Sequence, residues 1–201
     1  MSLTYRQRFA LRLCLFKDNC AGVAAIEFAY LLPLLMMMTY GVVESSRAVM
    51  MHKRFQRSVA LIGDLVAREE EIGTTPGDAA AQMEGMMKAA KHVMMPYDTS
   101  TLKMGVTAVV SPMPPANASA TTVGWSYAYQ SYPVKAKGAS KSMPASGMIT
   151  AGNAAILVEA EYMYKPILTN LVPGFNMQVK WTDQIAHAPR SRCPEYGGSP
   201  C

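Results

Sequence analysis

Histidine is nearly absent from this chain, with only His52, His92 and His187 among 201 residues. So few, and so scattered, they offer no spaced set for acid–base work. Cysteine is also sparse. Cys14 and Cys20 lie near the start and Cys193 and Cys201 at the end, with no clustered spacing that would build a tetrahedral zinc site. Charged residues make up only 16%. No Gly-rich phosphate loop and no HExxH pair occurs, and Ser146-Gly147 and Gly138-Ala-Ser140 lack the flanks of a nucleophile elbow. Glu159 and Glu161 share a strand face, where a pair two residues apart on an edge is expected to be solvated. These absences exclude the common enzyme classes, and no catalytic residue, cofactor or metal is expected. Seventeen methionines, including Met36-Met37-Met38, raise the question of copper. Without paired histidine or cysteine they read as flexible packing in core and lipid.

The net charge of +5 does not point to nucleic acid once it is mapped. Arg6, Arg8, Arg12 and Lys17 against Asp18 leave +3 before Gly22, and Glu27 and Glu44 remove two. The mixed remainder shows no basic stripe interleaved with aromatics.

What the chain does have is a long apolar run, from Ala21 to Val43, interrupted by one carboxylate, Glu27. At about 1.5 Å per residue, some twenty such residues cross the roughly 30 Å hydrocarbon core of a bilayer. A soluble helix seldom stays apolar on every face for this long. The basic flank before the run predicts a cytoplasmic N-terminus and an exported C-terminus. That topology leaves Cys14 and Cys20 in a reducing compartment. It puts Cys193 and Cys201 where oxidation is permitted, so a Cys193–Cys201 disulfide closing a small loop is expected. A carboxylate within the span costs on the order of 2–3 kcal/mol by insertion scales, so Glu27 is rarely idle there. The bland alternative is that Glu27 sits near the headgroups and snorkels.

Beyond the span, Met51, Phe55, Val59, Ile62 and Val66 recur at three- and four-residue steps and predict a helix from Glu44 to Ile72. If continuous from Ala21, that helix reaches about 78 Å. Pro33 is expected to loosen one hydrogen bond without ending the span. The acids Glu69, Glu70 and Glu71 suit a helix C-terminus badly and predict fraying. Asp78 is the expected N-cap of a second helix, Ala79 to Met95, with Met83, Met86, Met87, Ala90 and Met94 on its apolar side. Four strands follow, at Leu102 to Val110, Val123 to Gln130, Ala154 to Tyr164 and Met177 to Ala186. Trp125, Tyr127 and Tyr129 alternate on one face, as do Val158, Ala160, Tyr162 and Tyr164. An antiparallel sheet with one face against a helix would bury both tryptophans in part. Asn117-Ala-Ser119 matches the glycosylation triplet by chance. The fold class is α+β: a long N-terminal helix whose first half spans the membrane, a short second helix, and a C-terminal antiparallel sheet.

Gly22, then Glu27 five residues later, then Phe28 and an apolar run resemble the processing site of type IV pilin-like proteins. The longer pattern is Gly22-Val-Ala-Ala-Ile-Glu27-Phe-Ala-Tyr-Leu-Leu-Pro33, then Tyr40-Gly-Val-Val-Glu44-Ser-Ser-Arg47. It resembles the N-terminal signature of the TadE/TadF-like (TadE/TadG) family, minor pilins or pseudopilins of the tight-adherence (Flp, type IVc) pilus. Val158 to Pro166 is similar to that family's late strand, with alternating tyrosines before a proline. The resemblance implies that a prepilin peptidase cuts between Gly22 and Val23. It further implies that the Glu27 carboxylate pairs with the freed amine of a neighbouring subunit. The expected partners are other pilins and minor pilins, that peptidase, the inner-membrane assembly platform and membrane lipids. The expected organisation is a basic cytoplasmic leader (1–22), a transmembrane segment (23–43), a periplasmic continuation of the helix (44–72) and a periplasmic α+β domain (73–201). The alternative function is a single-span periplasmic binding or sensor module unrelated to pili.

Overall fold

The computed structural model describes residues 22–113, 120–145, 147–167, 169, 174, 176–190 and 193–201. The basic segment with Arg6, Arg8, Arg12, Lys17, Cys14 and Cys20, the Asn117–Ser119 triplet and Ser146 lie outside them. Helix α1 runs from Val23 to Arg68, and the chain forms two compact units that part between Ser46 and Arg47.

In the first unit, every residue from Gly22 to Thr39 is exposed, so this stretch has no protein core of its own. It is long and apolar enough to cross a membrane. Pro33 lies within the helix and does not end it, because a missing N–H removes one hydrogen bond and the flanking turns hold the rest. The Thr39 hydroxyl donates to the Leu35 carbonyl at 2.8 Å.

In the second unit, Met51, Phe55, Val59, Ile62 and Val66 of α1 are all buried. The helix stops at Arg68, four residues short of the expected Ile72. Glu71–Ile72 instead forms strand β1. The acidic run carries no cation to meet the helix's negative end, and the extended alternative supplies backbone partners. Helix α2, Pro76–Met94, is capped by Thr75 and not by Asp78. The Thr75 hydroxyl oxygen accepts from the Asp78 amide at 3.3 Å and donates to its carboxylate at 2.8 Å. Proline at the first helical position moves the start forward, leaving Asp78 in the first turn where its charge opposes the dipole.

The sheet comprises β2 (Lys103–Val110), β3 (Thr122–Tyr129), β4 (Ala154–Tyr164) and β5 (Val179–His187). It is antiparallel throughout, in the order β3-β2-β4-β5. Register places Trp125, Ala108 and Ile156 in one cross-strand row, and Tyr127, Val106, Val158 and Ile185 in another. Those residues face the helices. Phe55 of α1 meets Tyr162, with ring centroids 6.0 Å apart, and His52 meets Trp181 edge-on at 5.0 Å. Trp181 also stacks on Tyr164 at 4.7 Å. Further along α1, Gly63 lets the backbone approach β5: a Cβ there would sit 2.3 Å from the His187 ring. Trp125 is buried and Trp181 half-buried, as the sequence predicts. The edge assignment of Glu159 and Glu161 is corrected, because β4 lies inside the sheet. Lys141 reaches across to hold both Glu159 oxygens at 2.7 Å, and Lys180 holds Glu161 at the same distance.

Two tyrosines make this unit sensitive to base. Burial, reinforced by the Asp98 charge and opposed by Arg47, pushes the Tyr162 phenol up to about 12. Burial and the carboxylates of Glu159 and Glu161 push Tyr132 to about 12 as well. A phenol raised in the folded state contributes stability that is complete below the ordinary value near 10 and is lost as pH climbs from there to about 12. The urea midpoint of the full chain in detergent is therefore expected to fall between pH 10 and 12. The Tyr162 hydroxyl donates to the Asp98 carbonyl at 2.7 Å. Tyr162→Phe should accordingly cost about 1 kcal/mol at neutral pH and flatten the alkaline fall; an unchanged alkaline slope would count against this assignment.

Candidate functional site

The sequence-predicted site residues fall at three places. Gly22 immediately precedes α1, and Val23 is its first residue. Glu27 follows Val23 by four positions, so the two share one stripe of the helix, with Phe28 beside them. Val23 and Phe28 are 52% and 57% exposed. Among the described residues, Glu27 has no ion-pair partner. Glycine at position 22 is not required by packing: a Cβ there meets nothing within 4 Å among the described residues, and its φ lies outside the left-handed region. A carboxylate, an apolar face and a glycine that packing among the described residues does not require thus sit together on an exposed stretch of helix.

The second place is the exit of the apolar run. Glu44 accepts a hydrogen bond from the Tyr40 hydroxyl at 3.3 Å, one helical turn before it. Arg47 belongs to the second unit, where its guanidinium lies 5.8 Å from the centre of the Tyr97 ring.

The third is the C-terminal loop. Cys193 and Cys201 form the expected disulfide, with Cα atoms 6.3 Å apart. The closed loop carries strand β6, Glu195–Tyr196, which pairs in parallel with β1. Gly197 donates to the Ile72 carbonyl at 3.0 Å. Its φ of +59° and a would-be Cβ 2.8 Å from Pro76 Cα leave room for glycine alone. Trp125 fixes the loop from the sheet side: its indole N–H donates to the Pro194 carbonyl at 2.8 Å, and its ring stacks on Tyr196 at 5.1 Å. Sequence reading missed the β1–β6 pairing, and Gly197-Gly198 was the available signal for a left-handed turn there.

Elsewhere the surface offers little chemistry. A groove of about 290 Å³ lined by Tyr132, Glu159, Thr182, Asp183 and Gln184 contains a carboxylate already engaged by Lys141. Among the described residues no three His, Cys, Asp or Glu side chains converge as a metal site would need.

Residues 22–60 match the family model described as TadE-like protein, the same family the N-terminal pattern resembles. The match takes in Gly22, Val23, Glu27, Phe28, Glu44 and Arg47. No curated protein and no solved structure matches the chain.

Proposed function

We propose that this chain is a minor pilin or pseudopilin that acts in assembly of a tight-adherence (Flp, type IVc) pilus, in a structural and not a catalytic role. The observation that carries the reading is Glu27: a carboxylate on an exposed apolar helix, five residues after a glycine that packing does not require. The TadE-like match over the same residues supports it. Prepilin peptidase cuts between Gly22 and Val23, and the basic leader stays in the cytoplasm. The apolar part of α1 crosses the inner membrane, and the second unit stands in the periplasm. The Cys193–Cys201 disulfide supports that orientation, since such bonds persist in oxidising compartments. Other pilins and minor pilins, the assembly platform and membrane lipids are its partners.

Intact-mass measurement of the membrane-bound protein tests the reading. The expected species starts at Val23 in cells with active peptidase and at Met1 in cells without it. A Met1 start in both would remove the processing step and with it the pilin assignment.

A further inference from the structure

The two outer strands of the sheet are finished differently. Along β3 a loop covers the backbone: the Val123 amide donates to the Ala139 carbonyl at 2.9 Å, and the Gly138 amide donates to the Val123 carbonyl at 2.7 Å. Strand β5 is nine residues long, about 30 Å. Among the described residues β4 is its only strand partner, and Thr182 and Gln184 along it are exposed. A long open edge of this kind is a template for another strand.

Three hydrogen bonds fix which backbone groups face that edge. The Thr101 hydroxyl, on the β2 side of β4, accepts from the Met163 amide and donates to the Met163 carbonyl, both at 3.3 Å. On the same side the Asn153 carbonyl accepts from the Ser111 amide at 2.9 Å. Backbone groups alternate in direction along a strand, so the odd-numbered residues of β4 turn theirs to β2 and the even-numbered ones to β5. Unbroken register sets Asp183 opposite Ala160 and Gln184 opposite Glu159. The amide and carbonyl of Asp183 therefore pair with Ala160, and those of Gln184 point out of the sheet. That outward amide is already engaged: it donates to the Asp183 carboxylate at 3.0 Å.

Asp183 is also the fifth of the nine residues, on the helix-facing side with Ala160, between Trp181 and Ile185. Antiparallel addition of a second β5 in full overlap would set Asp183 opposite Asp183, in the narrow type of pair with Cα atoms about 4.5 Å apart. Like charges directly opposite destabilise a strand pair, and among the described residues Asp183 has no ion-pair partner to neutralise it. The same pairing would need the Gln184 amide for the Thr182 carbonyl of the second copy. We propose that Asp183 closes the edge of β5 against strand addition by a second copy of this chain. It does so by holding the Gln184 amide and by placing like charges face to face in the overlapping pair. The proposal rests on the second unit alone and stands whether or not the chain enters a pilus.

The test is amide hydrogen exchange, read by NMR on the full chain in detergent micelles at a low and a high chain concentration. In the wild-type chain, exchange at Thr182, Gln184 and Ala186 is expected to be independent of concentration. Asp183→Val removes the charge and frees the Gln184 amide, and should slow exchange at those residues by about tenfold on concentrating. Asp183→Asn keeps an acceptor for the amide without the charge and should fall between the two. Adding Thr182→Pro to Asp183→Val removes an outward N–H that β4 does not use, and should return Gln184 and Ala186 to wild-type exchange. Association through the apolar part of α1 changes nothing at these amides, so the readout belongs to the β5 edge. Concentration-dependent protection in the wild-type chain overturns the proposal, and so does its absence in Asp183→Val.

Discussion

Trp125→Ala is expected to lower the unfolding free energy of the full chain by about 3–5 kcal/mol, the range for deleting a large buried aromatic. The side chain is 5% exposed and lies where three parts of the second unit meet. On one side are Ala108 and, beyond it, Ile156 in the sheet; on another is the Tyr196 ring. The third is the Pro194 carbonyl, which takes the indole N–H. Truncation leaves a cavity, removes the stack and orphans that carbonyl together. Trp125→Phe should separate these effects, keeping ring contact and losing only the hydrogen bond, for about 1–2 kcal/mol. Trp181 remains as the fluorescence reporter for urea unfolding in both variants. Because Trp125 and the disulfide hold the same loop, Cys193→Ser/Cys201→Ser, which alone should cost about 2–3 kcal/mol, is expected to be less than additive with Trp125→Ala. A loss below about 1 kcal/mol for Trp125→Ala would mean that the C-terminal loop is not fastened through this residue.

The reach of the sequence differs from one element to the next, and for physical reasons. Met51, Phe55, Val59, Ile62 and Val66 announce the buried side of α1 because one helix stripe meets one sheet face, so burial and periodicity carry the same information. The alternation of Trp125, Tyr127 and Tyr129 works in the same way for β3. The Thr75 cap was obscured because Thr75 and Asp78 are both competent caps, and the choice depended on which residue the helix could start from once Pro76 took the first position. Strands β1 and β6 could not be read at all. Each is two residues long, too short for any alternation, and each has the other as its strand partner across more than a hundred residues of sequence. Strand order was equally hidden: nothing local to Glu159 distinguishes an edge from an interior strand, and the Lys141 that neutralises it comes from a loop eighteen residues away. At the N-terminal site the situation reverses. Glu27 stood out in the sequence because it breaks the pattern of an apolar helix, with Gly22 and Phe28 at fixed spacing from it, and among the described residues the fold gives Glu27 no ion-pair partner.

That lack of a partner among the described residues makes Glu27 the residue with the largest expected functional effect. Glu27→Ala should leave the second unit folded, with Cys193 and Cys201 still resistant to alkylation until reduced, because Glu27 belongs to the first unit and is exposed there. Pilus output should nevertheless collapse. Under the proposed assembly, the carboxylate meets the amine of Val23 from a neighbouring subunit inside the hydrocarbon. Removing one member of such a pair leaves an uncompensated charge that costs about 3–5 kcal/mol. Each 1.4 kcal/mol is a factor of ten, so association should weaken by about two to four orders of magnitude. Glu27→Gln, which keeps shape and hydrogen bonding without charge, should fall between the two. Blocking cleavage by replacing Gly22 removes the amine from the other side, so combining it with Glu27→Ala should add little to either loss. Normal piliation in Glu27→Ala cells would show that the acid only snorkels to the headgroups, and full additivity of the two changes would show that carboxylate and amine do not meet.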